Sequence, residues 1–282
     1  MEDESYAGCA GQFFIYAVYD GHGGSDTARK IKNELGARIL QDLDQIRKQD
    51  EAQVVAALYK SFRDQEEALF EEWTMSETPD MSGSCAIVLV RNGEHLYVCN
   101  LGDSRCIVAS KTTSDVLFET TDHKPNGKSE KQRILSAQGW VADQRVNGIL
   151  ATSRAFGDFS FFVDVTDSIQ QVKKLKSKPE QQLVAQFGLK LDSNLRLLDN
   201  PPVSAVPEIQ HLIVSKPKSY AVLCCDGVFE VMSSSSVVSF INMTWKTNES
   251  TSSEKICQLL AEHAYNLGSE DNLSVVIVRL NF

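Results

Sequence analysis

The stretch that decides the fold is FFIYAVYDGHGG, residues 13–24. Its first seven residues are aromatic, β-branched or small and apolar, which predicts a strand buried on both faces. The strand ends at Asp20 and Gly21, and Ser25 is a suitable N-cap for a helix running to about residue 43. A carboxylate, a histidine and two glycines therefore lie between a buried strand and a helix.

The periodicity of the remaining chain predicts an antiparallel α+β fold. A helix over about 52–73 carries an apolar stripe. Further strands are predicted at 84–90, 94–101, 105–109, 116–121, 210–214, 220–225 and 274–281, and further helices near 131–138, 235–245 and 253–267. Blocks of consecutive strands flanked by helices favour this class over alternating βαβ units.

The composition limits the classes of partner. The chain has 28 Lys and Arg against 38 Asp and Glu, a net charge of −10. This balance argues against nucleic-acid binding through a basic face. A phosphoanion substrate would need the negative field offset locally, and divalent cations would do so while using the excess carboxylates as ligands.

The cysteines and the apolar runs predict a location. Seven cysteines occur with no CxxC pair and no zinc-ligand spacing, and five lie in apolar, strand-like runs. They are interpreted as buried free thiols in a reducing compartment. With no apolar signal region at the N-terminus and no apolar run near 20 residues, we expect a cytoplasmic or nuclear protein without membrane contact.

Four acidic residues share one local pattern, in which an apolar strand meets a carboxylate beside Gly or Asn. They are Asp20, Asp103, Asp226 and Asp271. Any one of them is more often a simple turn former. Several together favour a site for Mg²⁺ or Mn²⁺, because two such ions about 3.5–4 Å apart can clamp an in-line phosphoryl displacement. The sequence leaves both readings open, since convergence in space is not visible in it.

His22 lies two residues beyond Asp20 and also has two readings. It could orient the following helix, or it could act as a general acid, because neighbouring carboxylates keep an imidazole protonated near neutral pH. The chain has no P-loop, nucleophile elbow or cysteine-phosphatase signature. A covalent serine or cysteine route is therefore unsupported.

Several short motifs follow one another along almost the whole chain: MED (1–3), FIYAVYDGHGG (14–24), SGS (82–84), NLGDSR (100–105), TDHKP (121–125), RVNG (145–148), SRAFGD (153–158), CDG (225–227) and DNLS (271–274). As an ordered set they resemble the type-2C (PPM-type) family of metal-dependent protein serine/threonine phosphatases. The resemblance implies a single catalytic domain over residues 1–282. It also implies a four-layer αββα sandwich, in which two antiparallel sheets are flanked by helices.

The resemblance further implies a site with two Mn²⁺ or Mg²⁺ ions, a weaker third ion and phosphoprotein substrates. A hydroxide bridging the two metals would attack phosphorus directly while the metals stabilise charge on the phosphoryl oxygens. In the implied site, Asp20 bridges both metals. The carbonyl of Gly21 binds one of them, with Glu2 supporting it through water, and Asp226 and Asp271 bind the other. Asp122 with Asp226 holds the third ion, Asp3 lies nearby, and His22 protonates the leaving oxygen.

The sequence departs from the family pattern in three places. An arginine expected a few residues before Met1 is not present, so either a first strand is missing or the start is genuine and activity is reduced. Glu230 replaces a common aspartate, and an extended insertion covers residues 159–207, where the family has a flap. Two alternatives stay open: a catalytically weak or inactive regulatory or binding protein of the same fold, and a hydrolase of small phosphoesters.

Overall fold

The computed structural model describes residues 1–46, 50–161, 201–215 and 218–280. It confirms the α+β class, with two antiparallel sheets and helices. Most of the predicted insertion, 162–200, lies outside the described residues. The strands are β1 (Glu4–Ala10), β2 (Phe13–His22), β3 (Gly83–Asn92), β4 (His95–Leu101), β5 (Arg105–Ser110), β6 (Val116–Glu119), β7 (Val141–Ala142), β8 (Arg145–Val146), β9 (Phe156–Gly157), β10 (Glu208–Ile213), β11 (Ser219–Cys224) and β12 (Val275–Leu280).

The longer helices of the described residues lie close to the ranges predicted from the sequence, whereas a short helix over Asp226–Phe229 was not predicted. None of those in the described ranges is both long and apolar enough to span a bilayer. They are α1 (Asp26–Asp44), α2 (Glu51–Met75), α3 (Lys128–Ser136), α4 (Asp226–Phe229), α5 (Ser234–Thr247) and α6 (Ser253–Asn266), and a 3₁₀ turn covers Phe159–Phe161.

Two sheets stack face to face between helices. The first has the order β1-β2-β3-β4-β10, with β9 added beside β3, and the second has the order β12-β11-β5-β6. On β2, Ile15, Ala17 and Tyr19 belong to the core shared with α1 and α2, whereas Val18 belongs to the core between the sheets. A third core joins the second sheet to α5 and α6. The buried run in β2 is apolar on both sides because each side meets a different layer.

The antiparallel pairing brings four chain segments to one edge of the sandwich. β2 ends there, and the chain crosses there from β4 in the first sheet to β5 in the second. On the second sheet, Cys224 at the end of β11 pairs with Arg105 at the start of β5 and with Val275 at the start of β12. The four acidic turns noted in the sequence all belong to these segments.

Strand β1 was not predicted. Its sequence, ESYAGCA, has no β-branched residue, and its side chains alternate only between half-buried and exposed. It pairs with β2 along its whole length, and Tyr6 packs so closely on Gly36 of α1 that a Cβ there would lie 2.3 Å from the ring. Tertiary contacts rather than local propensity therefore define this edge strand.

Candidate metal centre

Five carboxylates converge where the two sheets meet. Oxygens of Asp20, Asp103 and Asp226 lie within 4.8 Å of one another. A second group with the same spacing is formed by Asp226, Glu230 and Asp271. We call these five residues the acidic cluster, and Asp226 is common to its two halves.

Two glycines allow the backbone to close around the cluster. A Cβ on Gly21 would lie 2.4 Å from the carbonyl oxygen of Glu2, and a Cβ on Gly227 would lie 2.6 Å from the carbonyl oxygen of Asn272. A side chain at either position would push apart segments that carry the acids. The Asp-Gly pairs therefore combine a carboxylate with close backbone approach.

Burial and mutual repulsion disfavour ionisation of the clustered carboxyl groups. Burial, followed by the charges of Asp226, Asp3 and Asp103, raises the pKa of Asp20 to about 9. Burial and the charge of Asp103 raise the pKa of Asp226 to about 7, against the opposing charge of Lys124. A divalent cation would relieve both the repulsion and the desolvation, so the donor set fits hard cations such as Mn²⁺ and Mg²⁺.

Asp3 adds a buried carboxylate beside the cluster. It is 3% exposed, and its Oδ2 atom has no hydrogen-bond partner among the described residues. Burial raises its pKa, although hydrogen bonds with Ser274 and Cys225 act in the opposite direction. An uncompensated buried carboxylate oxygen next to other acids is a further sign that a cation belongs here.

Lys124 is the cation that contacts the cluster in the described structure. Its Nζ atom lies 2.5 Å from Oδ2 of Asp103 and 3.5 Å from Oδ2 of Asp226. The other oxygen of Asp103 accepts from the thiol of Cys85 at 3.1 Å. Lys124 was not singled out in the sequence. The sequence indicated Asp103 only as one of the four acidic turns, through the glycine that precedes it at the end of an apolar strand.

His22 and Asp158 form a pair beside the cluster. The Nε2 atom of His22 lies 2.8 Å from Oδ2 of Asp158, which is 7% exposed. Burial alone would lower the pKa of His22, but the charge and hydrogen bond of Asp158, aided by Asp20 and Asp103, raise it to about 9. The Asp158 carboxylate therefore favours the protonated form of the imidazole. Asp158 follows β9, and its distance along the chain from His22 hid this contact from sequence reasoning.

The other predicted site residues are placed as follows. Gly21 and the backbone of Glu2 are in close contact at the edge of the cluster. Asp122 lies outside both groups of the cluster. Its two oxygens accept from Nε and an Nη atom of Arg105 at 2.9 and 2.8 Å. The structure thus brings Asp20, Asp226 and Asp271 together and pairs Asp122 with an arginine.

These features define a class: an α+β sandwich with a candidate dication centre at the shared edge of its two sheets. The chain belongs to the Protein phosphatase 2C family, which it matches over residues 2–273. This match confirms the resemblance found in the sequence motifs.

Several curated relatives support the assignment. "Protein phosphatase 2C homolog 3" of Schizosaccharomyces pombe is 33% identical over 94% of this chain and 56% of its own length. "Protein phosphatase 1B" of Rattus norvegicus is 30% identical over 94% of this chain and 61% of its own. The chain therefore spans little more than half the length of these relatives.

Solved structures share the fold. A phosphatase from Toxoplasma gondii superposes with a TM-score of 0.75 at 20% identity, covering 99% of this chain and 88% of the other. A sex-determining protein of C. elegans gives a TM-score of 0.72 at 23% identity, covering 99% of this chain and 61% of the other. At this identity the similarity establishes the sandwich alone.

Proposed function

We propose that this chain hydrolyses phosphoserine and phosphothreonine in proteins with the help of two divalent cations, Mn²⁺ or Mg²⁺. The observation that carries the proposal is the acidic cluster beside the hydrogen-bonded His22–Asp158 pair. Membership of the Protein phosphatase 2C family supports the substrate class.

The residues that would hold the ions are those that the family resemblance implies. Asp20 would be shared between the ions, with the carbonyl of Gly21 and, through water, Glu2 on one side. Asp226 and Asp271 would serve the other side, where the structure already groups them. Asp122 would serve a third, weaker ion only by giving up its pairing with Arg105.

When bound, the two ions would activate a bridging hydroxide as the nucleophile and neutralise charge on the phosphoryl oxygens. His22 would supply the proton for the serine or threonine oxygen as it leaves. Since Nε2 faces Asp158, the Nδ1–H of the imidazolium is the proton available for transfer. Asp158 would keep the ring charged and oriented, and the reaction would be a single displacement without a covalent enzyme intermediate.

The decisive measurement is hydrolysis of a phosphothreonine peptide with Mn²⁺, with Mg²⁺ and with EDTA. We expect turnover with metal and none with EDTA. Turnover that persists in EDTA would contradict the proposal. Absence of turnover by metal-loaded protein would favour a regulatory or binding role for the same fold.

Two variants assign the roles. His22→Ala should lower turnover while Mn²⁺ binding, measured by calorimetry, stays at the parent value. Asp226→Ala should abolish metal-dependent turnover because it removes the carboxylate common to both groups of the cluster. Parent-like turnover in the first variant, or a parent-like Mn²⁺ titration in the second, would show that the assignment is wrong.

We also propose a cytoplasmic or nuclear location, supported by the state of the cysteines. All seven are free, and five of them are buried, as expected in a reducing compartment. A fluorescent fusion that accumulates in the secretory pathway would contradict this proposal.

A further inference from the structure

The His22–Asp158 pair depends on a turn with an unfavourable backbone conformation. Gly157 and Asp158 have φ values of 73° and 53°, both in the left-handed region. For a residue with a side chain this conformation costs roughly 1–2 kcal/mol. Such a turn persists only when its surroundings hold it in place.

Helix α2 holds this turn through two buried side chains one helical turn apart. Phe62 stacks on Phe156, with ring centroids 5.3 Å apart. Glu66 accepts a hydrogen bond at Oε2 from the backbone N–H of Gly157 at 3.1 Å. β9 consists of two residues paired with β3. Helix α2 also contacts Phe159, the residue after Asp158, through the rings of Phe70 and Trp73, so it supports the turn on both sides.

Glu66 is an unfavourable choice for packing alone. It is 5% exposed, and its Oε1 atom has no hydrogen-bond partner among the described residues. Burial raises its pKa well above the usual value. A methionine would fill the same space without the desolvation penalty of a carboxyl group. In the described structure this side chain accepts its hydrogen bond from the amide of Gly157, which immediately precedes Asp158.

The geometry assigns Glu66 as a positioning residue for His22: it fixes the amide of Gly157, which places Asp158, which orients the imidazole. This inference rests on the proposed function, because it gives Glu66 a part in proton donation to the leaving oxygen. The chain of contacts runs from the middle of α2 to the edge of the sandwich without passing through any member of the acidic cluster.

The first test observes the pair directly in the metal-free protein. The Nε2–H proton of His22 should give a downfield NMR resonance because of its short hydrogen bond, and its loss in His22→Gln assigns it. We expect Glu66→Met to abolish or shift this resonance. Glu66→Gln should retain it, since the amide oxygen can still accept from Gly157. A parent-like resonance in Glu66→Met would overturn the inference.

The second test compares leaving groups. The nitrophenolate of p-nitrophenyl phosphate departs without protonation, whereas a threonine alkoxide needs a proton. Glu66→Met should therefore lower kcat about tenfold for a phosphothreonine peptide and much less for p-nitrophenyl phosphate, with unchanged Mn²⁺ affinity. Glu66→Gln should restore the peptide rate.

A matched control separates positioning from general destabilisation. Ser61 is equally buried on α2, but it bonds to Asp42 and to the carbonyl of Ala57, away from the turn. Ser61→Ala should leave the ratio of the two rates unchanged. An equal loss on both substrates in Glu66→Met would overturn the positioning role. A parent inactive on both substrates with Mn²⁺ would instead contradict the proposed function, and the resonance alone would then decide the role of Glu66.

Discussion

Replacing Lys124 by methionine should tighten Mn²⁺ binding and destabilise the metal-free protein. The ammonium lies 2.5 and 3.5 Å from oxygens of Asp103 and Asp226. With the dielectric constant of water these distances give about 1.7 and 1.2 kcal/mol of attraction. The lysine side chain is 40% exposed, so screening and side-chain entropy keep the net value at about 1–2 kcal/mol.

The same positive charge competes with a divalent ion for these oxygens. We expect the Mn²⁺ dissociation constant of Lys124→Met, measured by isothermal titration calorimetry, to fall about tenfold, equivalent to about 1.4 kcal/mol. The Tm of the metal-free protein should fall by about 2–6 °C in calorimetric scans. Lys124→Arg keeps the charge and should remain near the parent in both measurements.

The opposite signs of the two effects make the reasoning testable. Loss of packing or of local order would lower the metal-free Tm and weaken metal binding together. If Lys124→Met bound Mn²⁺ more weakly than the parent, or at the same affinity, the conclusion that Lys124 competes with the metal for these carboxylates would be refuted.

Three further predictions concern the site and its support. Gly83→Ala should lower kcat at least tenfold with Mn²⁺ affinity retained, because a Cβ there would lie 2.3 Å from both His22 and Asp158. Steady-state kinetics and calorimetry measure these two quantities, and a parent-like kcat would contradict the prediction. The pKa of Glu130 is lowered to about 2 because its bonds to Arg154 and the charge of Arg133 outweigh its burial. The ionised Glu130 therefore contributes up to about 3 kcal/mol to the free energy of unfolding above about pH 4.5, and this contribution is lost as the pH falls towards 2. The free energies of unfolding of the parent and Glu130→Gln, measured in urea, should differ at pH 7 and converge near pH 2. Binding of Mn²⁺ at pH 7 should release protons, because two carboxyls of the acidic cluster have raised pKa values; calorimetry in buffers of different ionisation enthalpy should show it, and a buffer-independent enthalpy would contradict it.

The sequence predicted the elements that have strong local signals. The buried run before Asp20 and the apolar stripe of α2 lie where their periodicity placed them, since each faces a continuous apolar layer. β1 was missed because its small and polar residues resemble a loop until they pair with β2. Local chemistry therefore sufficed where burial was extensive and failed at the sheet edge.

The site was only partly predictable for a different reason. Asp20, Asp226 and Asp271 were identified because each stands in a recognisable motif at a strand end. The approach of Asp158 to His22 spans 136 positions in the chain, and that of Lys124 to Asp226 spans 102. Such contacts depend on how the two sheets stack, which no single motif encodes. The pairing of Asp122 with Arg105 likewise became visible only in three dimensions.

The acidic cluster combines residues from both sheets, and this has a consequence for folding kinetics. Asp20 and Asp226 lie 206 positions apart, so the cluster requires that both sheets have stacked, and we expect it to form late in folding. A metal ion that binds such a late-formed site stabilises the native state but not the transition state. Mn²⁺ should accordingly slow unfolding strongly and leave the refolding rate nearly unchanged in stopped-flow experiments. The ion would then stabilise the assembled sandwich kinetically, by lowering its rate of unfolding.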